Sequence, residues 1–291
     1  MTDEIRADRS LKRRLKVIRW KIRRRQVAWK WGSKDVSGTP AVLGNAMPKS
    51  GSHLIIQVLQ GLTRVGPFVN PGFPPVNRAE DNRKLVEAAI LKNIEQMQAG
   101  DIRYGYIHAR QPFIEPLTRP GKAMVFVYRD PRDMLVSHVF YATEMHPGHG
   151  MHHYYTEVLS SMEERLNAAI QGVDEEGAEL SNVKERYLDY LGWLDISETL
   201  CLRFEDLVLD QVASFQRLLS YLEGRGMRLQ VSQETAIGAL KSSIAPHKSG
   251  TFRKGKPGSW QEYFSANNKQ LFKEIAGDLL IQMGYEKDLD W

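Results

Sequence analysis

A short apolar run that ends at a turn of small residues and resumes as a helix constrains this chain most. Ala41 to Met47 stops at Pro48-Lys49-Ser50-Gly51-Ser52, and Leu54, Ile55, Val58, Leu59 and Leu62 follow at helical spacing. A run this short, bounded by turn residues, reads as a buried strand, and the spacing after it reads as a helix. Tyr104 to His108, Ala123 to Tyr128 and Thr199 to Phe204 repeat the pattern, each with turn signals and a helical segment behind it. Strands alternating with helices predict an α/β fold, a doubly wound and mainly parallel sheet flanked by helices, with ligands beyond the carboxyl ends of the strands. Residues 155 to 195, 206 to 224 and 268 to 283 read as helical throughout.

Charge divides the chain in two. The 291 residues carry a net charge of +5, yet residues 1 to 31 hold twelve Lys or Arg against Asp3, Glu4 and Asp8. That segment is +9, so everything after it sums to −4. A nucleic-acid-binding body would carry its basic footprint on the folded part, so no nucleic-acid partner is expected. Leu11, Leu15, Ile18, Ile22 and Trp29 recur at helical intervals among the cations, which predicts a basic amphipathic helix over residues 1–32. Residues 33–40 read as a linker and 41–291 as a single domain. Cys201 is the only cysteine and no apolar run approaches 20 residues, which points to a reducing, cytoplasmic setting.

Three segments are built to hold anions. Pro48-Lys49-Ser50-Gly51-Ser52-His53 joins a strand to a helix, whose N-terminus offers free N–H groups and about half a positive charge. The lysine precedes the glycine, unlike the Walker pattern, and as a lone motif this is also an ordinary turn. In Tyr128-Arg129-Asp130-Pro131-Arg132-Asp133-Met134-Leu135-Val136-Ser137, Pro131 falls where a helix would begin. Arg129 is thereby placed at the sheet's carboxyl end, with Ser137 about two turns along the helix. An Arg–Asp pair capping a helix is the plain alternative. Arg253-Lys254-Gly255-Lys256-Pro257-Gly258-Ser259-Trp260 combines cations with glycines, which can surround a phosphate or merely sit in solvent.

With all three in this order, the body from about residue 40 to 291 resembles the PAPS-dependent sulfotransferases, where PAPS is 3'-phosphoadenosine-5'-phosphosulfate. The resemblance implies that Lys49, Ser50, Gly51, Ser52 and His53 hold the 5'-phosphosulfate, and that Arg129, Ser137, Arg253, Lys254 and Gly255 hold the 3'-phosphate. It also implies that Phe204, in Arg203-Phe204-Glu205-Asp206-Leu207, lies against the adenine. Where soluble small-molecule members carry Thr-Thr-Trp after the loop glycine, this chain has Ser52-His53-Leu54 and lacks that tryptophan.

The implied reaction passes the sulfuryl group of PAPS to a hydroxyl or amine of a small-molecule or glycan acceptor, leaving 3'-phosphoadenosine 5'-phosphate (PAP). By resemblance Lys49 balances charge on the departing phosphate, and Ser137 holds Lys49 aside until the acceptor arrives. A neutral imidazole suits removal of the acceptor's proton, and His108 matches the family's catalytic histidine. Glu115 and Glu144 are alternative bases. No metal enters the scheme: the spacing of His146, His149, His152 and His153 lacks a clear helical ligand face, a cysteine and a nearby set of carboxylates. They read instead as part of a loop over the acceptor, as does the Pro67, Phe68, Pro71, Phe73 and Pro75 stretch.

Two other readings stay open at this point. A P-loop kinase or NTPase would share the sheet and the strand-end loop, although no lysine follows the glycine. A non-enzymatic adaptor would act through the basic N-terminal helix. For residues 1 to 31, packing on the body, self-association and peripheral contact with a membrane surface are all compatible with the sequence.

Overall fold

A computed structural model describes residues 11–248 and 255–291. In chain order the helices are α1 (Leu11–Trp31), α2 (Ser33–Gly38), α3 (Ser52–Gly61), α4 (Glu87–Glu95), α5 (Ile114–Thr118) and α6 (Pro131–Phe140). They continue as α7 (Met162–Gln171), α8 (Val183–Leu191), α9 (Phe204–Leu209), α10 (Gln211–Gly224), α11 (Gln233–Ser243) and α12 (Ala266–Gln282). The strands are β1 (Ala41–Ala46), β2 (Ile102–Gly105), β3 (Lys122–Tyr128) and β4 (Thr199–Arg203). The described chain forms two compact units: residues up to Tyr128 with Gly192–Lys248, and Arg129–Leu191 with the chain from Gly255 onward.

The first unit holds the sheet. Its strands lie in the order β2-β1-β3-β4 and every neighbouring pair is parallel, as the alternating pattern predicts. Ala46 pairs with Val127, so the topological switch falls between β1 and β3. Every residue of β1 is buried, and β3 is buried up to Tyr128. Continuous burial replaces inside–outside alternation because parallel sheets are covered on both faces. Ile55, Val58, Leu59 and Leu62, on and just after α3, supply one cover, each no more than 1% exposed. Full burial of such a side chain contributes about 1.5–3 kcal/mol. The close approach needs Gly44, where an added Cβ would sit 2.7 Å from Leu59 Cδ1.

Residues 33–40, read as a linker, contain α2 with Val36 buried, and Thr39 Oγ1 donates to Asp35 O at 2.8 Å. Helix α1 packs in the first unit through a face that mixes Val17, Trp20 and Val27 with Lys16 and Arg24. Trp20 Nε1 and an Arg24 guanidinium nitrogen donate to Asp101 Oδ1 at 2.8 and 2.9 Å, and Lys16 pairs with Glu80.

The second unit packs α6 and α12 on α7, with Leu135, Val136, Leu166, Ala169, Phe272 and Leu280 fully buried. The unbroken helix expected over 155–195 is instead a π-helical turn (Tyr154–Val158), α7, an isolated bridge between Val173 and Leu180, and α8. A capping box on Ser161 starts α7. Gly172 stops it at φ 86°, a left-handed conformation that periodicity cannot reveal. The 206–224 helix is likewise divided at Asp210, whose side chain caps α10 by accepting from Ala213 N.

Candidate functional site

In the first unit, the turn after β1 concentrates the local strain. Lys49 has φ 65°, a left-handed conformation that costs a non-glycine residue on the order of 1 kcal/mol. Gly51 follows at φ 94°, and a Cβ there would lie 2.6 Å from Phe204 Cδ2. The Phe204 ring, 7% exposed, therefore packs beneath the loop and ties the ends of β1 and β4 together. Gly51 is the N-cap of α3 and supplies no side-chain cap, so the first amides of the helix keep their affinity for an anion. Ser50 is completely buried and its Oγ has no hydrogen-bond partner. A buried hydroxyl in that condition is costly unless something accepts from or donates to it. Tyr106 donates its hydroxyl to Ser52 Oγ at 3.3 Å. The His53 imidazole is held below its ordinary pKa by desolvation of the ring and then by the charge of Lys49.

His108 lies three residues beyond the end of β2, where a strand running through to His108 was expected. The strand stops because side-chain amides take over its backbone groups. Asn77 Nδ2 donates to Tyr106 O at 3.1 Å, and Tyr106 N donates to Asn77 Oδ1 at 3.3 Å. Asn45 does the same for Ile107: its Nδ2 donates to Ile107 O at 2.9 Å and its Oδ1 accepts from Ile107 N at 2.7 Å. Trp193 Nε1 also donates to Ile107 O, at 2.8 Å. The residue before His108 is thus fixed by three hydrogen bonds from buried side chains, and the half-buried His108 extends from it.

Phe68 and Phe73, expected in a wall for the acceptor, are placed otherwise. Phe68 is in the core, and Phe73 is covered by Trp20, with ring centroids 5.7 Å apart, and by the Arg13 guanidinium, 4.2 Å from its ring.

In the second unit, Asp130 caps α6 by accepting from Arg132 N at 2.9 Å, and Pro131 takes the first helical position. Arg132 is caged by Asp130 and Glu286 and lies over the Trp260 and Trp291 rings. Asp133 is the organising residue. Its Oδ2 accepts from Gly258 N at 2.8 Å, and its Oδ1 accepts from Trp260 N at 2.8 Å and from Ser259 Oγ at 3.0 Å. The same Oδ2 is 3.6 Å from an Arg129 guanidinium nitrogen. One fully buried carboxylate therefore links the Arg129 segment to the Gly255–Trp260 loop, two motifs more than a hundred residues apart. Ser137, half-buried, is one helical turn beyond Asp133 on the same face of α6. Arg253 and Lys254 lie outside the described residues; Gly255 is the first residue after them.

The histidine-rich stretch forms part of an aromatic cluster on the second unit. His149 meets the rings of His138 and Tyr141 edge-on, and His152 Nδ1 is 2.7 Å from Ala142 O. Among the described residues no group of three or more His, Cys, Asp or Glu is placed to hold a metal, and no helix is long and apolar enough to cross a membrane. Sequence reasoning missed Asp133, Asn45, Asn77 and Trp193. The signal for Asn45 was a polar residue inside a short strand that is otherwise apolar.

The chain is similar to known proteins in sequence and in fold. The 3-alpha-hydroxysteroid sulfotransferase of Cavia porcellus is 23% identical over 172 residues, which are 52% of this chain and 54% of that protein. The chain thus spans about half the length of this curated relative. The crystal structure of mouse sulfotransferase SULT7A1 complexed with PAP superposes with a TM-score of 0.57 at 14% identity, covering 85% of this chain and 88% of that one, a likeness of fold. A family model for the sulfotransferase domain matches residues 40–284, the great majority of the sequence, and the chain belongs to that family.

Proposed function

We propose that this chain transfers the sulfuryl group of PAPS to a hydroxyl or amine of a small-molecule or glycan acceptor. The observation that carries the proposal is the β1–α3 turn. It combines a lysine held left-handed, a fully buried Ser50 hydroxyl with no partner, and a helix N-terminus with no side-chain cap. These features suit a phosphosulfate, whose oxygens would accept from Ser50 Oγ and from the amides of Ser52 and His53.

Arg129 and Ser137, with the Gly255–Trp260 loop that Asp133 holds beside Arg129, suit the 3'-phosphate. Arg253 and Lys254 are assigned to the same phosphate by family resemblance. Phe204 is assigned to hold the loop from beneath, through Gly51, as much as to border the adenine.

In the transfer a bond forms between the acceptor oxygen and sulfur, and the bond from sulfur to the bridging phosphate oxygen breaks. His108 takes the acceptor's proton, and the Lys49 ammonium balances the charge left on the phosphate. Stabilising charge where it develops is the larger lever in such transfers, and general-base catalysis adds on the order of 10²–10⁴-fold. The test is a screen of phenols, alcohols, amines and glycans with PAPS, reading PAP release and the sulfated product together. Product with at least one acceptor class supports the reading, whereas no PAP release across the panel from protein that binds PAP counts against it.

A further inference from the structure

We infer that the outer face of α1 is a docking surface for anionic membrane lipid, an inference independent of the donor chemistry. The helix meets the first unit through Lys16, Trp20 and Arg24, with half-buried Val17, Val27 and Trp31 beside them, a side that is part polar and part apolar. A second set of apolar residues points away. Leu11, Leu15, Ile18, Ile22 and Trp29 are 72%, 46%, 54%, 49% and 91% exposed. At 3.6 residues per turn these five fall within about 60° of arc, a stripe running nearly the whole helix. The helix therefore carries a second apolar face beyond the one it packs on the body, and this exposed stripe calls for an occupant.

Charge identifies it. Exposed Arg14, Lys21 and Arg25 border the stripe on one side and exposed Lys12, Arg19 and Lys30 on the other, and the 21-residue helix contains no Asp or Glu. An apolar stripe between two rows of cations matches a bilayer interface, with acyl chains meeting the stripe and anionic headgroups meeting both rows. A second copy of the chain fits less well. Two such helices placed stripe to stripe would set cations against cations with no carboxylate on either helix to relieve them.

Flotation of the full-length protein tests this with phosphatidylcholine vesicles made with and without phosphatidylserine. Binding should require phosphatidylserine and fall steeply at high salt. Ile18→Ser/Ile22→Ser/Trp29→Ser should weaken it at least ~10-fold, and Arg14→Gln/Arg25→Gln roughly 10-fold or more. Both variants should keep the wild-type melting temperature, because the altered side chains face solvent. No binding to phosphatidylserine vesicles, or full binding by the stripe variant, would overturn the inference. So would a wild-type dimer in light scattering that the stripe variant converts to monomer, since the second copy would then be the occupant.

Discussion

Asp133→Asn isolates the residue that joins the two motifs of the second unit. The carboxylate accepts three hydrogen bonds and faces Arg129 while fully buried. Asparagine preserves the shape but turns one oxygen into an NH₂ group. Either rotamer then sets that group against a backbone N–H, of Gly258 or of Trp260, which loses its acceptor and stays buried. One lost bond to a charged acceptor costs about 1.5–3 kcal/mol, and the remaining bonds weaken as they become neutral. The total should be on the order of 3 kcal/mol, read as a melting temperature lower by roughly 5–10 °C. Because Arg129 and the Gly255–Trp260 loop lose their common anchor, PAP should also bind about 10-fold more weakly or worse. Thermal denaturation and calorimetry with PAP measure the two effects on one preparation. Wild-type melting would refute the structural argument. Lowered melting with unchanged PAP affinity would refute the assignment of these motifs to the donor.

Three further outcomes follow from the first unit. Asn45→Leu should cost about 2–4 kcal/mol, since it strands the buried N–H of Ile107, and should lower kcat while PAP affinity holds; equal loss of both would mean that Asn45 supports the loop and not His108. Gly51→Ala should destabilise by about 1–3 kcal/mol, through its left-handed φ and its clash with Phe204. Adding Phe204→Leu should recover part of that loss, and a double variant no better than the single in urea denaturation would dismiss the clash. In NMR titration, His53 should protonate below the ordinary ~6.5 of imidazole, and both Lys49→Ala and added PAP should move its midpoint upward. The sign for stability follows: the neutral ring's contribution is complete above the unfolded value and is lost as pH falls through the lowered folded one.

The sheet was legible because a parallel strand leaves a plain mark, a short apolar run cut off by turn residues, and β1, β3 and β4 match their runs closely. β2 was expected over Tyr104 to His108 but runs Ile102–Gly105, ending three residues earlier. Its apolar run continues through Ile107, yet Asn45 and Asn77 capture the backbone there, an event settled by side chains distant in sequence. For the same reason the motifs could be read but their supports could not. Asp133 stood within the Arg129–Ser137 motif with no role of its own, and only the fold reveals that it accepts from residues 258 to 260. The amphipathic period of α1 was plain in the sequence, but the usual rule would have turned its apolar stripe inward. The buried Asp101, which draws Trp20 and Arg24 onto the body, reverses that orientation.

Calorimetric titration of the wild-type protein with PAP in EDTA, set beside ATP with Mg²⁺, tests the central claim most directly. Arg129, the uncapped α3 N-terminus and Lys49 supply positive charge within the chain, so PAP should bind without added metal, Lys49→Ala should weaken it, and ATP–Mg²⁺ should bind far less well. Heat from ATP–Mg²⁺ alone, with none from PAP, would contradict the account and favour a nucleotide triphosphatase or kinase.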